Sequence, residues 1–414
     1  MHSVVSRSLK VFTTTLAAAL LALSTPALSA AAPQPGQCAN HQAPPPPVDT
    51  SEKPAPGKQV PPPLAVPAVP VGGDRMAECG LITPNGALNP PDGNTAASWL
   101  VQDLDTGAVI AAKDPHARQR PASLIKTLLA LVVVTQLKPQ QVIVATKEDA
   151  EQECTCVGLV AGGQYTVDQL LHGLLMHSGN DVAHTLATAL GGVDSAVGKM
   201  NALAAKIGAL DTRAATPSGL DGPGMSTSAY DLSLIFHYAM KQPEFAQVVA
   251  TKNFEIPSVG GKPAIPIWND NKLLGVYPGF LGGKTGFTDD ARHTYVGAAQ
   301  RKGKRLAVVM LRAEQKPTKV VDQAAKLLDY GFALEDDHAA PVGQITYQAP
   351  AATSSGSNPS VLADGGTGNS GTSAAAAAAK EDPFGVTGWI ITLVVFLLIV
   401  GGFVVGHQRK KAAG

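Results

Sequence analysis

The chain carries no net charge: 32 Lys and Arg balance 32 Asp and Glu over 414 residues. Binding to a phosphate backbone draws on basic surplus or basic runs, and with no basic run outside the termini a nucleic-acid partner has no electrostatic support. Only four cysteines occur, too few for a disulfide scaffold at this length but compatible with an oxidising compartment. Cys38 and Cys79 bracket a proline-rich segment and are placed to staple it to the folded domain. The state of Cys154 and Cys156 stays open, because a bond between residues two apart is strained and zinc would need two further ligands. No His-Glu-x-x-His is present. His172, His177 and His184 therefore read as core or surface histidines, and neither a metal nor a cofactor is implied.

Charge is also missing from two long stretches. Val11–Leu23 is uncharged and mostly apolar, with Arg7 and Lys10 before it and small residues at Ala27, Ser29, Ala30 and Ala32 after it. That order reads as a secretory signal over 1–30, cleaved near its end. From Phe384 to Gly406 there is again no charge, and the core "WIITLVVFLLIVGGFVV" is long enough to cross a hydrocarbon layer of ~30 Å. Arg409, Lys410 and Lys411 follow at once. The expectation is a single C-terminal transmembrane helix over 385–406 with a cytoplasmic tail at 407–414 and the bulk of the chain outside the cell membrane. Residues 31–75 contain "PPPP" and "PPP" and read as an extended linker, and 341–384 as an Ala/Gly/Ser-rich tether. A folded domain over 76–340 remains.

Within it, "ASWLVQDLDTGAVIAAKD" and "HTYVGAAQRKGKRLAVVMLRA" each show two strand-like runs around a turn. Apolar spacing predicts helices over 123–137, 167–177, 181–190, 194–207, 228–241 and 317–333. Strands at both ends and helices between them imply an α/β (α+β) domain, with an antiparallel sheet flanked by helices and an inserted helical subdomain.

Three short motifs carry chemistry. Ser123-Leu124-Ile125-Lys126 opens an apolar helix after Pro121. Positions i and i+3 share a helical face, so the hydroxyl and the amine can meet. A desolvated lysine of lowered pKa can then take the proton of a serine nucleophile. Ser178-Gly179-Asn180 lies between two predicted helices and offers a hydroxyl and a carboxamide. Lys284-Thr285-Gly286 precedes a strand, where glycine admits a ligand to the backbone and the other two suit a carboxylate. Each alone has an ordinary structural reading as a chance match, a capped loop or a tight turn. All three in this order in an exported chain form the pattern of penicillin-binding proteins and serine β-lactamases.

From about Gly80 to Leu334 the chain resembles the D-alanyl-D-alanine carboxypeptidases, low-molecular-mass penicillin-binding proteins, of the actinobacterial type. "TPSGLDGPGMSTSAYDL", Thr216–Leu232, is similar to the segment these enzymes carry between their second and third motifs. The resemblance implies a β-lactamase/transpeptidase-like fold, with Ser123 as the acylated nucleophile and Lys126 as its general base. It implies that Ser178 relays a proton while Asn180 positions the substrate amide, that Lys284 sets the electrostatics, and that Thr285, beside Gly286, binds the terminal carboxylate. The backbone amides of Ser123 and Phe287 would form the oxyanion hole, and Arg312 would assist carboxylate binding. Implied partners are peptidoglycan stem peptides ending in D-Ala-D-Ala, with β-lactams as covalent inhibitors. Ser-Gly-Asn in place of Ser-Asp-Asn is typical of carboxypeptidases.

A β-lactamase shares the first half of this reaction but, in the penicillinase-like class, deacylates through a glutamate. Between Asn180 and Lys241 there is no glutamate, which favours a carboxypeptidase. D,D-endopeptidase activity on the same fold stays open, and a non-enzymatic cell-wall module would not need every motif residue intact.

Overall fold

The architecture comes from a computed structural model that describes residues 38–346, apart from 154 and 260. In chain order it has β1 (Leu81–Ile82), β2 (Ser98–Asp103) and β3 (Ala108–Lys113), then a 3-10 turn at Ala122–Ile125 leading directly into α1 (Lys126–Gln136). Next come β4 (Val142–Val144), α2 (Lys147–Ala150), β5 (Gln164–Thr166), α3 (Val167–Met176), α4 (Asn180–Ala189), α5 (Val193–Ile207), α6 (Ala229–Ala239) and α7 (Pro243–Val249). The chain returns to strands with β6 (Asn253–Ile256), β7 (Ile265–Trp268), β8 (Phe280–Thr288), β9 (Arg292–Arg301) and β10 (Lys304–Ala313), followed by α8 (Val320–Asp336) and β11 (Gly343–Gln344).

The main sheet runs β1-β3-β2-β10-β9-β8, with β11 also on β3, and its pairings are antiparallel. Strands from both ends of the domain thus meet at its centre, where β2 pairs with β10. Both faces of the sheet are covered, so β10 reads as a continuous apolar run. Ala307, Val309 and Leu311 join the cluster shared with α1 and α6, while Leu306, Val308 and Met310 join Leu327 and Leu328 of α8. The split follows the two-residue period of a strand. Helix α1 is buried from Lys126 to Val133, which explains its all-round apolar sequence as that of a central helix.

The proline-rich segment is the linker that Cys38 and Cys79 are placed to staple, and its contacts with the domain are extensive. From residue 38 it lies against the domain, closed by a Cys38–Cys79 disulfide. Prolines have no N–H to donate, so such a segment presents chiefly carbonyl acceptors. The domain meets them with arginines. Buried Arg118 donates to Gln42 O at 2.7 Å, Leu64 O at 2.6 Å and Ala65 O at 2.9 Å. Arg120 donates to Pro45 O at 2.7 Å and pairs with Glu52, and Arg213 reaches Pro62 O at 2.9 Å. Charge-assisted bonds of this kind contribute roughly 1.5–3 kcal/mol each where water is excluded.

The expected C-terminal membrane helix is the part of the fold that must be corrected. Among the described residues no helix is long and apolar enough to cross a membrane. The run at 385–406, on which that expectation rests, lies outside the described residues, as do 1–30, 347–384 and 407–414.

Candidate active site

The nucleophile turn is built from backbone strain and close packing. Pro121 precedes Ala122, which adopts φ 47°, a left-handed value that costs a residue with a Cβ about 1 kcal/mol. The turn is held in place by its neighbours. Thr294 Oγ1 on β9 donates to Pro121 O at 3.0 Å. On β8, a Cβ added to Gly286 would lie 2.9 Å from Ser123 N. From the far side, a Cβ at Gly219 would lie 2.0 Å from Ala122 O. Glycine is required at both places because the backbones themselves touch.

Lys126, fully buried at the first position of α1, donates to Ser123 Oγ at 3.0 Å, Asn180 Oδ1 at 2.8 Å and Ser218 O at 2.5 Å. All three acceptors are uncharged. Burial, reinforced by the nearby Lys284 charge and opposed by Asp181, holds the Lys126 amine well below the usual lysine range. Lys284 is also buried, and its ammonium donates to Thr285 O at 2.7 Å. Burial brings it down to about 8, with Asp270 acting in the opposite direction.

The second motif follows α3. Ser178 takes φ 63° and is buried, and its Oγ has no hydrogen-bond partner among the described residues. Asn180 begins α4, where its Nδ2 donates to Glu153 O and its backbone N to Thr155 O, both at 2.7 Å. This fixes which end of the carboxamide faces Lys126. The neighbouring Asp181 carboxylate is fully buried and accepts from the amides of Val157, Gly158 and Leu159 at 2.7–3.0 Å. It thereby closes the 155–159 loop over the start of α4.

Two cavities meet at Ser123. One, of about 460 Å³, is lined by Ser123, Ser178, Thr285, Gly286, Phe287 and His293 among others. The second, of about 420 Å³, shares Ser123, Thr155 and Phe287 with it and continues past Asn180 to Thr288 and Asp289. The structure thus brings Ser123, Lys126, Ser178, Asn180, Thr285, Gly286 and Phe287 to one cleft, with Lys284 beneath it. Phe287 is half exposed at the rim, within a tilted stack on His293. Arg312 is placed elsewhere. It sits at the irregularity near the end of β10 with φ 51°, and its Nη1 donates to Asp290 O at 2.7 Å rather than lining either cavity. Gln315 and Lys319 stand on that side instead.

Sequence reasoning missed the Ser218 carbonyl, the Asp181 clamp and Thr294. The first is a backbone atom and has no side-chain signature; its only trace is the adjacent Gly219. The three histidines weighed for zinc stand apart. His172 stacks on Phe254 and bonds Asp168 O, His184 bonds Asp149, and His177 lies 3.8 Å from Asp270.

Residues 86–315, over half of the chain, match the family model described as D-alanyl-D-alanine carboxypeptidase. The chain is 49% identical over 269 residues to the D-alanyl-D-alanine carboxypeptidase DacB2 of Mycobacterium tuberculosis, covering 64% of this chain and 90% of that protein. It is 28% identical over 251 residues to DacF of Bacillus subtilis, covering 59% of this chain and 64% of the relative. Among solved structures, the D-alanyl-D-alanine carboxypeptidase of Mycobacterium tuberculosis superposes with a TM-score of 0.59 at 47% identity, over 64% of this chain and all of that one. The DD-transpeptidase of Streptomyces K15 does so at 0.56 and 29% identity, over 59% of this chain and all of that one. A Ser-Lys pair in a buried cleft, the three motifs around it, and these matches agree: the chain belongs to the D-alanyl-D-alanine carboxypeptidase family.

Proposed function

We propose that this protein is a serine-type D-alanyl-D-alanine carboxypeptidase acting on peptidoglycan stem peptides through an acyl-enzyme at Ser123. The observation that carries the reading is Lys126. It is a fully buried amine with only neutral acceptors, 3.0 Å from a serine hydroxyl. Such an amine, held well below the usual lysine range by burial, gives up its proton more readily than a solvated lysine, and in its neutral form it can take the serine proton as Oγ attacks. The carbonyl of the penultimate D-alanine is the electrophile. Its oxyanion falls between the amides of Ser123 and Phe287, where two backbones already approach closely. Ser178, whose hydroxyl has no partner among the described residues, delivers the proton to the leaving D-alanine, whose carboxylate rests near Thr285 and the Lys284 charge. Water then hydrolyses the ester and the shortened stem peptide departs. A β-lactam acylates the same serine and leaves slowly.

Export to an oxidising compartment is supported by the Cys38–Cys79 disulfide and by the signal-like composition of 1–30. The test is direct. The full chain should release D-alanine from a peptide ending in D-Ala-D-Ala and be labelled by a fluorescent penicillin, and Ser123→Ala should abolish both. A wild-type protein that does neither refutes the proposal.

A further inference from the structure

The two cavities that meet at Ser123 differ in charge. The one containing Thr285 carries Lys272, His293 and Lys319 on its wall, with Asp270 as its acid. The other carries Asp49, Glu153, Asp221 and Asp289, and among the described residues no cation lines it. Strand β8 gives the two a direction. Thr285 and Gly286 border only the first cavity, Thr288 and Asp289 only the second, and Phe287 both. A substrate bonded at Ser123, with its leaving alanine facing Thr285, must therefore run its acyl arm past Phe287 toward Asp289.

The outer wall of this second cavity comes from the proline-rich strap. Residues 48–52 are fastened beside the cleft: Val48 N and Ser51 Oγ bond the Asp290 carboxylate, and Glu52 pairs with Arg120. Asp49 faces the cavity and accepts from Ser51 N of its own turn at 2.8 Å. Asp221, partly buried on the wall of the same cavity and with its pKa raised to about 6 chiefly by burial, keeps one carboxylate oxygen with no hydrogen-bond partner among the described residues.

We infer that the strap is part of the substrate site: with Asp221 and Asp289 it forms a subsite for a cationic side chain on the acyl arm, such as the free amine of a diamino residue preceding D-Ala-D-Ala. This rests on the carboxypeptidase reading and adds a selection to it. A stem peptide whose side-chain amine is free is preferred over one whose amine is already an amide, as in a cross-link.

The test compares two peptides with the full chain, Nα-acetyl-L-Lys-D-Ala-D-Ala and its Nε-acetylated form. Partly exposed charge pairs at contact distance predict a preference of about fivefold to tenfold in kcat/KM for the free amine, shrinking as salt is added. Asp49→Asn and Asp221→Asn should each pull that ratio toward one. The Asp49 carboxylate bonds within its own turn, so its variant folds, and Asp289→Asn provides a further check. Equal rates on the two peptides in the wild type, or an unchanged ratio in all three variants, overturns the subsite while leaving the carboxypeptidase intact. If neither peptide is cleaved and penicillin does not label Ser123, both readings fall.

Discussion

Gly219 offers the sharpest test of how the nucleophile is held. Its φ is 88°, and a Cβ there would lie 2.0 Å from Ala122 O, 2.5 Å from Ala122 C and 3.0 Å from Ser123 N. Gly219→Ala therefore has two costs. The left-handed backbone costs about 1 kcal/mol for any residue with a Cβ. The contact is larger, because ordinary van der Waals separation starts near 3.4 Å and the two backbones must part by about 1.4 Å. The Ser218 carbonyl moves with Gly219 and loosens its 2.5 Å bond to Lys126. A displacement of about 1 Å at a reacting group costs on the order of 100-fold in rate. We expect Gly219→Ala to slow acylation by a fluorescent penicillin by at least about 100-fold, with about 2–3 kcal/mol lost in urea unfolding. Gly303→Ala separates the two costs: at φ 82° with nothing within 4 Å of its Cβ, it loses about 1 kcal/mol and acylates normally. Acylation of Gly219→Ala within threefold of wild type would refute the account of a nucleophile fixed by backbone contact.

Lys126→Met keeps the volume of the side chain and removes the amine, so acylation should drop by roughly 10²–10⁴ while thermal unfolding remains cooperative; retained labelling would place the base elsewhere. The pH profile of kcat/KM should be bell-shaped. Lys126 must be neutral, so the rate climbs as pH rises through its lowered pKa; Lys284 must be charged, so the rate declines as pH rises through about 8. Lys284→Arg, which stays protonated, should remove the alkaline limb, and an unmoved limb would assign it to another group. Asp181→Asn withdraws acceptor capacity from the buried amides of Val157, Gly158 and Leu159. It should cost about 2–3 kcal/mol in urea unfolding and slow acylation through Asn180, and unchanged values for both would show that the clamp is dispensable.

Much of the fold is legible because period and burial coincide. The hairpins at 98–113 and 292–313 are readable from apolar runs around Asp-Thr-Gly and Lys-Gly-Lys turns, and both form. Helix starts show where a capping residue stands, as at Thr166 and Ser228, whose side chains accept from Gln169 N and Asp231 N. What is not legible has a common cause. The Ser123 segment begins as a 3-10 turn rather than a helix, because packing of β8 and Gly219 against the backbone outweighs local propensity. The resemblance implies a carboxylate-binding role for Arg312, but beside the irregularity between Met310 and Ala313 it takes φ 51° and donates to Asp290 O instead. A one-residue slip reverses a side chain, and apolar alternation cannot reveal it. The strap reads as a spacer because proline-rich composition describes a chain in water. Its carbonyls find arginines more than fifty residues away, a match no local window contains.

The two lysines of the site explain why neither motif functions alone. Burial lowers both, but unequally. Lys126 has neutral acceptors, and the Lys284 charge acting on it outweighs the opposing Asp181, while Lys284 is favoured by Asp270 and settles near 8. Two like charges in one desolvated cleft cannot both persist cheaply, so the amine with the poorer support gives up its proton. That amine is the one beside the nucleophile. The other keeps the positive charge that a substrate carboxylate and a developing oxyanion require. On this account Lys284→Met should raise the pKa that governs the acidic limb, because the cation holding Lys126 neutral is gone. The limb should therefore move to higher pH even as carboxylate binding weakens. If it stays in place, burial alone sets the Lys126 proton, and the coupling between the first and third motifs is confined to substrate binding.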